Sequence, residues 1–452
     1  MSNEPPLIVV LAAGKGVRMA SAVPKVLHAI GGRSMLAHVL AAAQGTGARL
    51  ALVVAAGADD VRAEAVRVSP GIAVFEQAAV EGTGAAVLAA KPALLRHGGD
   101  VVIVFADVPL LEGATVARLL GALEGPRAAA VLAFEPSDPT GYGRLIVDGE
   151  GRVAAIREHG DADAAERRLR LCNAGAMAFR LDDLTALLEG VGNDNAKGEY
   201  YLTDVVALAA RRGARVMPVV CAPEEALGVN TRAQLAAAEA AFQVRARRRA
   251  MAQGATLIAP ETVWLSFDTR IGHDVCIEPN VFLGPGVSIE DGAQILAHCH
   301  LVGARVRAGA RVGPFARLRP GADIGPDVHV GNFVEVKNAT LERAARANHL
   351  AYIGDGRVGE RANIGAGVIF CNYDGFNKQL TDVGKGAFVG SNAALVAPVT
   401  IGEGAYIGSG SVITDDVAPD ALALARARQE QRQGWAARFR ARMGRRRKEG
   451  GN

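Results

Sequence analysis

Large aliphatic residues recur every six positions over the second half of the chain, and this period constrains the fold more than any other feature. They form four runs, Ile271, Ile277, Leu283, Ile289, Ile295 and Leu301, then Val306, Val312, Leu318, Ile324, Val330 and Val336, then Val358, Ile364 and Phe370, then Val383, Val389, Leu395, Ile401, Ile407 and Ile413. A hexapeptide period of this kind predicts a parallel β-helix. An amphipathic α-helix would need spacings of three and four instead.

Small residues follow many of these aliphatic positions, and the commonest is glycine. Examples are Ile271-Gly272, Val330-Gly331, Ile364-Gly365, Val389-Gly390 and Ile401-Gly402. We expect these residues to suit the tight corners of the coil, because glycine has no side chain to obstruct a turn.

The six-residue period breaks twice. The gap from Val336 to Val358 is 22 residues and the gap from Phe370 to Val383 is 13, neither of which is a multiple of six. We therefore predict a loop expelled from the coil in each gap, and insertions of this kind often form the binding face of a repeat protein. The first gap holds Asn348, His349 and Tyr352, and the second holds Asn372, Tyr373, Asp374 and Lys378.

The first half has a different texture, in which short strand-like runs alternate with Ala- and Leu-rich helical stretches. Predicted strands are Leu7–Leu11, Leu50–Val54, Val101–Phe105 and Ala130–Phe134, and predicted helices include Met35–Ala43 and Thr115–Leu123. Such alternation predicts a mainly parallel sheet with helices on both faces. Residues 231–249 form one strong helical pattern, so we divide the chain into domains 1–230 and 251–452 with a linker helix at 231–250.

Composition excludes several classes of protein. The five cysteines are scattered without a Cys-x-x-Cys pair, which argues against a disulfide framework or a zinc site. No apolar run is long enough to cross a membrane and the N-terminus lacks a signal-peptide pattern, so we expect a soluble cytoplasmic protein without a membrane partner. Residues 438–452 hold seven Arg and Lys residues and one acidic residue. Such a basic segment could contact nucleic acid. Because the sequence has no nucleic-acid fold signature, we expect a frayed, solubilising end and no nucleic-acid partner.

Two segments of the first domain suggest ligand chemistry. The glycine-rich turn after the first strand, with Lys15, Arg18 and the later Lys25, could bind phosphate, or it could be only a tight connection. It is not a dinucleotide fingerprint, because Met19 occupies the third glycine position. Asp107 closes a buried strand at the edge where α/β sheets bind ligands, although a helix cap is the alternative.

Several motifs, taken together, resemble one family. In chain order they are LAAGKGVRM from residue 11, PKVL from 24, EGTG from 81, DVPL from 107, DPTGYGR from 138, GEYYLTD from 198 and GVN from 228. These motifs resemble the sugar-nucleotide pyrophosphorylases. With the β-helix behind them, the chain resembles the bifunctional UDP-N-acetylglucosamine pyrophosphorylase/glucosamine-1-phosphate N-acetyltransferases. That resemblance implies a Rossmann-like nucleotidyltransferase domain at 1–230 and a left-handed β-helix N-acetyltransferase domain at 251–452.

The resemblance also implies roles in the first domain, with UTP and a sugar phosphate as substrates and Mg²⁺ as cofactor. The implied nucleotide-sugar ligands are Leu11, Ala12, Ala13, Gly14, Lys25, Gln77, Gly82, Thr83, Gly143, Glu158, Asn173 and Asn230, and the implied metal ligands are Asp107 and Asn230. Joining two anionic substrates requires charge neutralisation and fixed geometry, which agrees with these roles. The family usually has Gly at Ala106 and Thr at Ala174, and these two departures bear on sugar affinity.

In the second domain the resemblance implies acetyl-CoA as donor, His349 as catalytic base and a homotrimer with sites between subunits. Implied acceptor ligands are Arg319, Lys337, Tyr352 and Asn363, and implied acetyl-CoA ligands are Ala366, Asn372, Tyr373, Ser391, Ser409 and Arg426. A histidine suits the base because amine acetylation needs a proton acceptor that works near neutral pH. Glu335 could orient His349 or simply form a surface ion pair, and Ser409 stands where the family often has Ala.

Three other functions stay open at this point. The first is a nucleotidylyltransferase with a passive coil, which would need no loops in the coil. The second is a nicotinamide-dependent dehydrogenase, which would need the glycine fingerprint that is missing here. The third is a non-catalytic scaffold, which would need neither set of polar residues. The motifs favour a bifunctional enzyme over all three.

Overall fold

The computed structural model describes residues 4–14, 16–78, 80–125, 128–180, 182 and 184–449. Lys15 therefore lies outside the described residues. The chain forms two compact units, the first comprising Met1–Ala252 with Trp264–Thr269 and the second comprising Gln253–Val263 with Arg270–Asn452.

The first unit is an α/β fold. Its strands are β1 (Leu7–Ala12), β2 (Ala29–Ile30), β3 (Arg33–Ser34), β4 (Arg49–Ala55), β5 (Ala73–Gln77), β6 (Val101–Phe105), β7 (Ala128–Phe134), β8 (Arg144–Val147), β9 (Val153–Arg157), β10 (Cys172–Arg180) and β11 (Arg215–Val220). Its helices are α1 (Met35–Gln44), α2 (Asp59–Val68), α3 (Thr83–Ala89), α4 (Lys91–Leu94), α5 (Gly113–Gly121), α6 (Leu184–Glu189), α7 (Asp204–Arg211) and α8 (Arg232–Ala252).

The main sheet has the order β11-β7-β10-β6-β1-β4-β5, with β8 and β9 added at its side. The predicted mainly parallel sheet is confirmed, since β1 pairs in parallel with both β4 and β6, while β10 runs antiparallel to β6 and β7. Alternate residues of β1 enter two different cores, Ile8 and Val10 on one face and Leu7 and Val9 on the other. This alternation follows from the two-residue period of a strand and explains why β1 is apolar throughout.

A topological switch point lies at the carboxyl end of β1. The chain passes from β1 to β4 on one side, whereas β6 pairs on the other side. Phe105 pairs with Leu11 at this end, and the N–H of Ala106 donates to the Leu11 carbonyl at 2.9 Å. Ligands of α/β sheets bind in the crevice at such a point.

The second unit is a left-handed parallel β-helix built from very short strands. The remaining strands in chain order are β12 (Thr256–Leu257), β13 (Trp264–Leu265), β14 (Arg270–Ile271), β15 (Cys276–Ile277), β16 (Phe282–Leu283), β17 (Ser288–Ile289), β18 (Gln294–Ile295), β19 (His300–Leu301), β20 (Arg305–Val306), β21 (Arg311–Val312), β22 (Arg317–Leu318), β23 (Ala322–Ile324), β24 (His329–Asn332), β25 (Glu335–Leu341), β26 (Arg346–His349), β27 (Tyr352–Val358), β28 (Asn363–Ile364), β29 (Ile369–Cys371), β30 (Thr381–Val383), β31 (Phe388–Val389), β32 (Ala394–Val396), β33 (Val399–Ile401), β34 (Tyr406–Ile407), β35 (Val412–Ile413) and β36 (Leu422–Ala423).

Each aliphatic residue of the hexapeptide period stacks on its equivalent in the next turn of the coil. Ile277 pairs with Ile295, Ile295 with Val312, and Val312 with Val330. These side chains are almost fully buried. The predicted β-helix is therefore confirmed, with its core formed by the residues that defined the period.

The predicted loop between Val336 and Val358 is wrong, because this stretch is ordinary coil. Leu341, Ala347 and Ile353 are buried there and continue the inward-facing series. The 22-residue gap consists of steps of five, six, six and five residues, with a small Ala347 where a larger aliphatic residue was expected. His349 and Tyr352 thus lie on strands β26 and β27, whose backbone is held by pairing on neighbouring turns.

The predicted excursion between Phe370 and Val383 is confirmed. Strand β29 ends at Cys371 and β30 begins at Thr381, and the residues between them leave the coil. An antiparallel bridge between Tyr373 and Lys378 closes this loop. The Asp374 carboxylate accepts from the N–H groups of Phe376 and Asn377 at 2.7 and 2.6 Å, which fixes the turn at its tip.

The glycines after the aliphatic positions are required for a reason other than tight corners. Their φ angles are not positive; instead the backbone of the next turn lies where a Cβ would be. A Cβ on Gly331 would lie 1.9 Å from the Asn348 carbonyl oxygen, and one on Gly365 would lie 2.6 Å from the Val389 carbonyl oxygen. A backbone atom cannot move aside as a flexible side chain can, so these positions exclude alanine.

Replacing Gly331 with alanine is expected to destabilise the second unit by about 2–3 kcal/mol, because the added methyl overpacks two adjacent turns. Differential scanning calorimetry of the full chain measures this as a lower melting temperature for that unit. Gly444→Ala is the matched control, since an added Cβ there has no heavy atom within 4 Å. An unchanged melting temperature for Gly331→Ala would contradict the close approach of the two turns.

The basic C-terminal segment is a helix rather than a frayed end. Helix α9 spans Trp435–Glu449, and its described residues up to Arg446 are exposed. Arginine and alanine favour helix strongly, which accounts for the helix without tertiary packing. In the part of the chain that the structure describes, no helix is both long and apolar enough to cross a membrane.

Candidate functional sites

A pocket of about 840 Å³ opens at the switch point of the first unit. It brings together nine of the predicted residues, namely Leu11, Ala12, Ala13, Gly14, Lys25, Gln77, Gly82, Thr83 and Asp107. Val80, Glu81, Phe105 and Glu199 also line it. The volume suits a nucleotide-sized ligand.

Lys25, Asp107 and Asn230 meet at one edge of this pocket. The Lys25 ammonium donates to Asp107 Oδ2 at 2.5 Å and to Asn230 Oδ1 at 3.0 Å. The main chain supports the same arrangement, because the Val229 N–H donates to the Asp107 carbonyl at 2.9 Å. Three residues far apart in the sequence therefore form one charged cluster.

The oxygens of Asp107 and Asn230 fit a hard divalent cation. Both oxygens accept from the same Lys25 ammonium, so they converge on one position for a cation. Magnesium is commonly bound by one or two protein oxygens together with substrate phosphates. Among the described residues no group of three or more His, Cys, Asp and Glu could hold a metal ion, so phosphate oxygens would have to complete this site.

The opposite wall of the pocket is fixed by Gln77. Its side-chain amide donates to the carbonyls of Val80 and Gly82 at 2.9 and 3.1 Å. Gly82 has φ +120° and faces the backbone of Tyr200, because a Cβ on Gly82 would lie 2.4 Å from the Tyr200 carbonyl oxygen. Only glycine satisfies both conditions.

Gly143, Glu158 and Asn173 form a second group in the same unit. The Asn173 N–H donates to the Gly143 carbonyl at 2.8 Å. A Cβ on Gly143 would approach the two Glu158 carboxylate oxygens to 3.4 and 3.5 Å, so the missing side chain leaves room beside the carboxylate. Burial raises the pKa of Glu158 above its ordinary value, and the hydrogen bond from Thr203 partly offsets that rise.

The two family departures, Ala106 beside Asp107 and Ala174 beside Asn173, lie in the core. Ala106 is fully buried and packs with Val104 and Val108, and Ala174 packs into the same cluster. Neither residue lines the pocket. The methyl group of Ala106 therefore points away from the ligand space.

In the second unit, His349 ends strand β26 and is exposed. Its Nδ1 lies 2.8 Å from Asn332 Oδ1, and the two residues pair across adjacent turns. An amide oxygen can only accept, so Nδ1 carries the proton and Nε2 of the neutral ring keeps its lone pair. Asn332 was not predicted. The only sequence feature that points to it is its spacing, because it lies one turn of the coil before His349.

Within the described chain, the Glu335 carboxylate bonds to arginines rather than to His349. Its carboxylate accepts from Arg319 at 2.8 Å and from Arg317 at 3.4 Å, so it forms the surface ion pair that was the alternative. Glu335 instead fixes Arg319, which follows the stacked Leu318 just as Lys337 follows the stacked Val336. Lys337 also lowers the pKa of Lys378, a residue of the loop between β29 and β30.

Tyr352 pairs with Glu335 of the previous turn, and Asn363 lies on β28, the turn after β26. The Tyr352 ring requires Gly354, because a Cβ there would lie 2.3 Å from the tyrosine hydroxyl. Asn363 pairs with Arg346 of β26, so it lies on the face that carries His349.

Ala366, Ser391 and Ser409 occupy the same corner as His349 on three later turns. Each lies two residues beyond a stacked core position, as His349 lies two residues beyond Ala347. Ser409 and Ser391 are exposed, and Arg426 is exposed on the segment that follows the last strand. We call the four residues His349, Ala366, Ser391 and Ser409 the corner column.

Asp355 organises the loop end of this region, although the sequence patterns gave it no role. It is buried, and its two carboxylate oxygens accept from the side-chain amides of Asn338, at 2.6 Å, and Asn372. Burial alone would raise its pKa, but these two amides and the charges of Lys337 and Lys378 hold the pKa of Asp355 below its ordinary value. Tyr373, the residue after Asn372, is exposed and its hydroxyl donates to the Gly375 carbonyl.

A nucleotide-sized pocket at a switch point and a hexapeptide coil with an oriented histidine define a transferase with two separate sites. Residues 8–253 match the MobA-like NTP transferase domain family, and residues 381–415 match the bacterial transferase hexapeptide (six repeats) family.

Full-length relatives identify the particular family. The chain is 54% identical over 441 residues to the bifunctional protein GlmU of Bradyrhizobium sp. (strain ORS 278), covering 97% of this chain and 98% of that protein. It is 55% identical over 445 residues to the bifunctional protein GlmU of Azorhizobium caulinodans, covering 98% and 99%. It is 54% identical over 442 residues to that of Xanthobacter autotrophicus, covering 98% of each chain. The chain belongs to the bifunctional GlmU family.

Proposed function

We propose that the chain makes UDP-N-acetylglucosamine in two reactions, each in its own unit. The second unit transfers an acetyl group from acetyl-CoA to glucosamine-1-phosphate. The first unit transfers a uridylyl group from UTP to the resulting N-acetylglucosamine-1-phosphate and releases pyrophosphate. The observation that carries this proposal is that each unit has its own convergent set of polar groups, around Asp107 in one and around His349 in the other.

In uridylyl transfer the sugar phosphate oxygen attacks the α-phosphorus of UTP, and the bond to pyrophosphate breaks. No protein nucleophile is needed, so the chain contributes binding, alignment and charge neutralisation. Leu11–Gly14, Gln77, Gly82 and Thr83 hold the nucleotide, and Lys25 neutralises phosphate. Asp107 and Asn230 would hold Mg²⁺, which supplies positive charge for the pyrophosphate leaving group.

The sugar is held at the second group of the first unit. Gly143 leaves room beside Glu158, whose carboxylate accepts from sugar hydroxyls, and Asn173 offers an amide. The Asn173 Oδ1 already accepts from the Gly175 N–H at 3.0 Å, so its amide nitrogen faces the free side as a donor.

In acetyl transfer the amine of glucosamine-1-phosphate attacks the thioester carbonyl, a C–N bond forms and the C–S bond breaks. His349 accepts the amine proton at Nε2, because Asn332 holds the proton on Nδ1. Arg319 and Lys337 bind the sugar phosphate, with Tyr352 and Asn363 beside the sugar. CoA leaves along the corner column, past Ala366, Ser391 and Ser409 to Arg426, with Asn372 and Tyr373 at the loop.

The assembly that we propose is a homotrimer in the cytoplasm. Phe315, Phe333 and Leu350 are exposed and adopt positive φ angles at one corner of the coil, next to Asn332 and His349. Positive φ is costly for such residues and the exposure of their apolar side chains is unfavourable in a monomer. Burial of these side chains against another copy would remove that exposure, which supports the proposal. Light scattering should give three times the chain mass of 46.8 kDa.

A pair of half-reaction assays on the purified full chain tests the proposed function. Acetyl-CoA with glucosamine-1-phosphate should release free CoA, and UTP with N-acetylglucosamine-1-phosphate and Mg²⁺ should release pyrophosphate. Uridylyl transfer without CoA release would favour a coil that serves only assembly, and a preference for NAD over UTP would favour a dehydrogenase.

Asp355→Asn is expected to raise KM for acetyl-CoA by about tenfold, because an amide cannot accept equivalently from both Asn338 and Asn372 and a buried donor is left unpaired. The KM for UTP should not change. Asp291→Asn, an exposed change in the same unit, is the control. An unchanged KM for both acetyl-transfer substrates would show that Asn372 needs no support from Asp355.

A further inference from the structure

Thr203 stands at the N-cap of α7 but does not cap the helix. Threonine is favoured at this position because its hydroxyl usually accepts from a free backbone N–H of the first turn. Here the side chain makes no such bond, although the residue is only 6% exposed. The hydroxyl therefore has another partner, and the ordinary structural reason for a threonine does not apply.

The partner is Glu158. The Thr203 hydroxyl donates to Glu158 Oε1 at 3.1 Å, across 45 residues of sequence. The same carboxylate lies against Gly143, where the absence of a Cβ leaves room for a ligand. One hydroxyl thus fixes the orientation of a carboxylate that borders this space.

The segment Tyr200–Thr203 also holds the turn at Gly82–Gly84, which we call the nucleotide wall because Gly82 and Thr83 line the pocket. The Gly84 N–H donates to the Tyr200 carbonyl at 2.8 Å, and the Leu202 N–H donates to the Thr83 hydroxyl at 2.9 Å. Within this short segment, Tyr200 and Leu202 contact the turn at Gly82–Gly84, and Thr203 contacts Glu158. A shift of this segment would move both at once.

We infer that Thr203 is a positioning residue for uridylyl transfer, and that its hydroxyl holds the Glu158 carboxylate ready for the sugar while its segment ties that carboxylate to the nucleotide wall. The inference rests on the proposed function of the first unit. It adds a residue and a role that neither the pocket lining nor the motifs alone supply.

The charges around Glu158 give this role a measurable signature. Burial raises the pKa of Glu158, the Thr203 hydroxyl and the charge of Lys197 lower it, and the charges of Asp161 and Asp204 raise it. Removing the hydroxyl removes a bond to the ionised form, so the pKa must rise further. When the pH is lowered, activity that needs the ionised carboxylate will then be lost at a higher pH in the variant than in the wild type.

The test compares Thr203→Val, which removes the hydroxyl at nearly constant volume, with Thr203→Ser, which keeps it. In the valine variant KM for N-acetylglucosamine-1-phosphate should rise about tenfold, KM for UTP should stay within about twofold, and the acid limb of kcat/KM should move to higher pH. The serine variant should recover all three. Thr115→Val is the matched control, because Thr115 is equally buried in the same unit and its hydroxyl accepts from Arg118, outside the pocket lining.

A double-mutant cycle with Glu158→Gln separates positioning from a merely structural effect. In the wild-type background Thr203→Val should be costly, whereas in the Glu158→Gln background it should add little. Additive losses, an unmoved acid limb, or no rescue by serine would overturn the inference. If Thr203→Val does not fold, Thr203→Ala is measured in the same way. A wild-type chain that releases no pyrophosphate would instead contradict the proposed function itself.

Discussion

Replacing Asp107 with alanine is expected to lower kcat for uridylyl transfer by about 10³-fold and to leave acetyl transfer unchanged. The change removes the only carboxylate that contacts the Lys25 ammonium within the described residues, together with one of the two oxygens that converge on the cation position. The charge of the two anionic substrates would then be poorly balanced. Pyrophosphate release at saturating UTP and Mg²⁺ measures the first reaction, and CoA release measures the second.

Asp60→Ala is the control for this prediction, because Asp60 is an exposed aspartate in the first turn of α2 and does not line the pocket. Its pyrophosphate release should match that of the wild type. Full uridylyl transfer by Asp107→Ala would show that the cluster with Lys25 and Asn230 is structural. Loss of acetyl transfer as well would contradict two separate sites.

The second large effect is expected for His349→Ala, which should lower kcat for acetyl transfer by about 10²–10⁴-fold. No other side chain is placed to take the amine proton in the proposed mechanism, and Asn332 holds the ring in the tautomer that leaves Nε2 free. Uridylyl transfer should keep its wild-type rate. Both rates are measured on the same preparation, so that a folding defect would appear in both.

His273→Ala provides the comparison, since this exposed histidine of the same unit contacts Asp291 and lies outside the corner column. Acetyl transfer by His273→Ala should equal that of the wild type. A His349→Ala variant that still acetylates at the wild-type rate would require another base. A bell-shaped pH profile that persists in the variant would lead to the same conclusion.

The sequence predicted the coil well because its core is a one-dimensional pattern. One large aliphatic residue per step stacks on the next, so period alone locates residues such as Ile295 and Val312. The prediction failed between Val336 and Val358, where a small Ala347 and two five-residue steps hid a regular coil. Glycines were found correctly, but their cause was a neighbouring backbone, which no local rule can detect.

The candidate sites were predicted mainly through motifs, and the residues that support them were not. Lys25, Asp107 and Asn230 meet only because the turn after β1, the residues after β6 and the segment before α8 come together in space. Asn332 and Asp355 depend on which residues stack across turns, which follows from the register rather than from composition. Their side chains act through hydrogen bonds between distant positions, so a linear scan had no signal for them.

The corner column, which we propose as the donor-binding edge of the coil, has a length set by the number of turns. Neighbouring strands of a sheet lie about 4.8 Å apart, so the three steps from His349 to Ser409 span roughly 14 Å. Inserting or deleting one whole turn beyond His349 would lengthen or shorten the corner column by one strand spacing and would leave His349 in place. A modular scaffold of this kind could be refitted to acyl carriers of different reach without redesigning its chemistry.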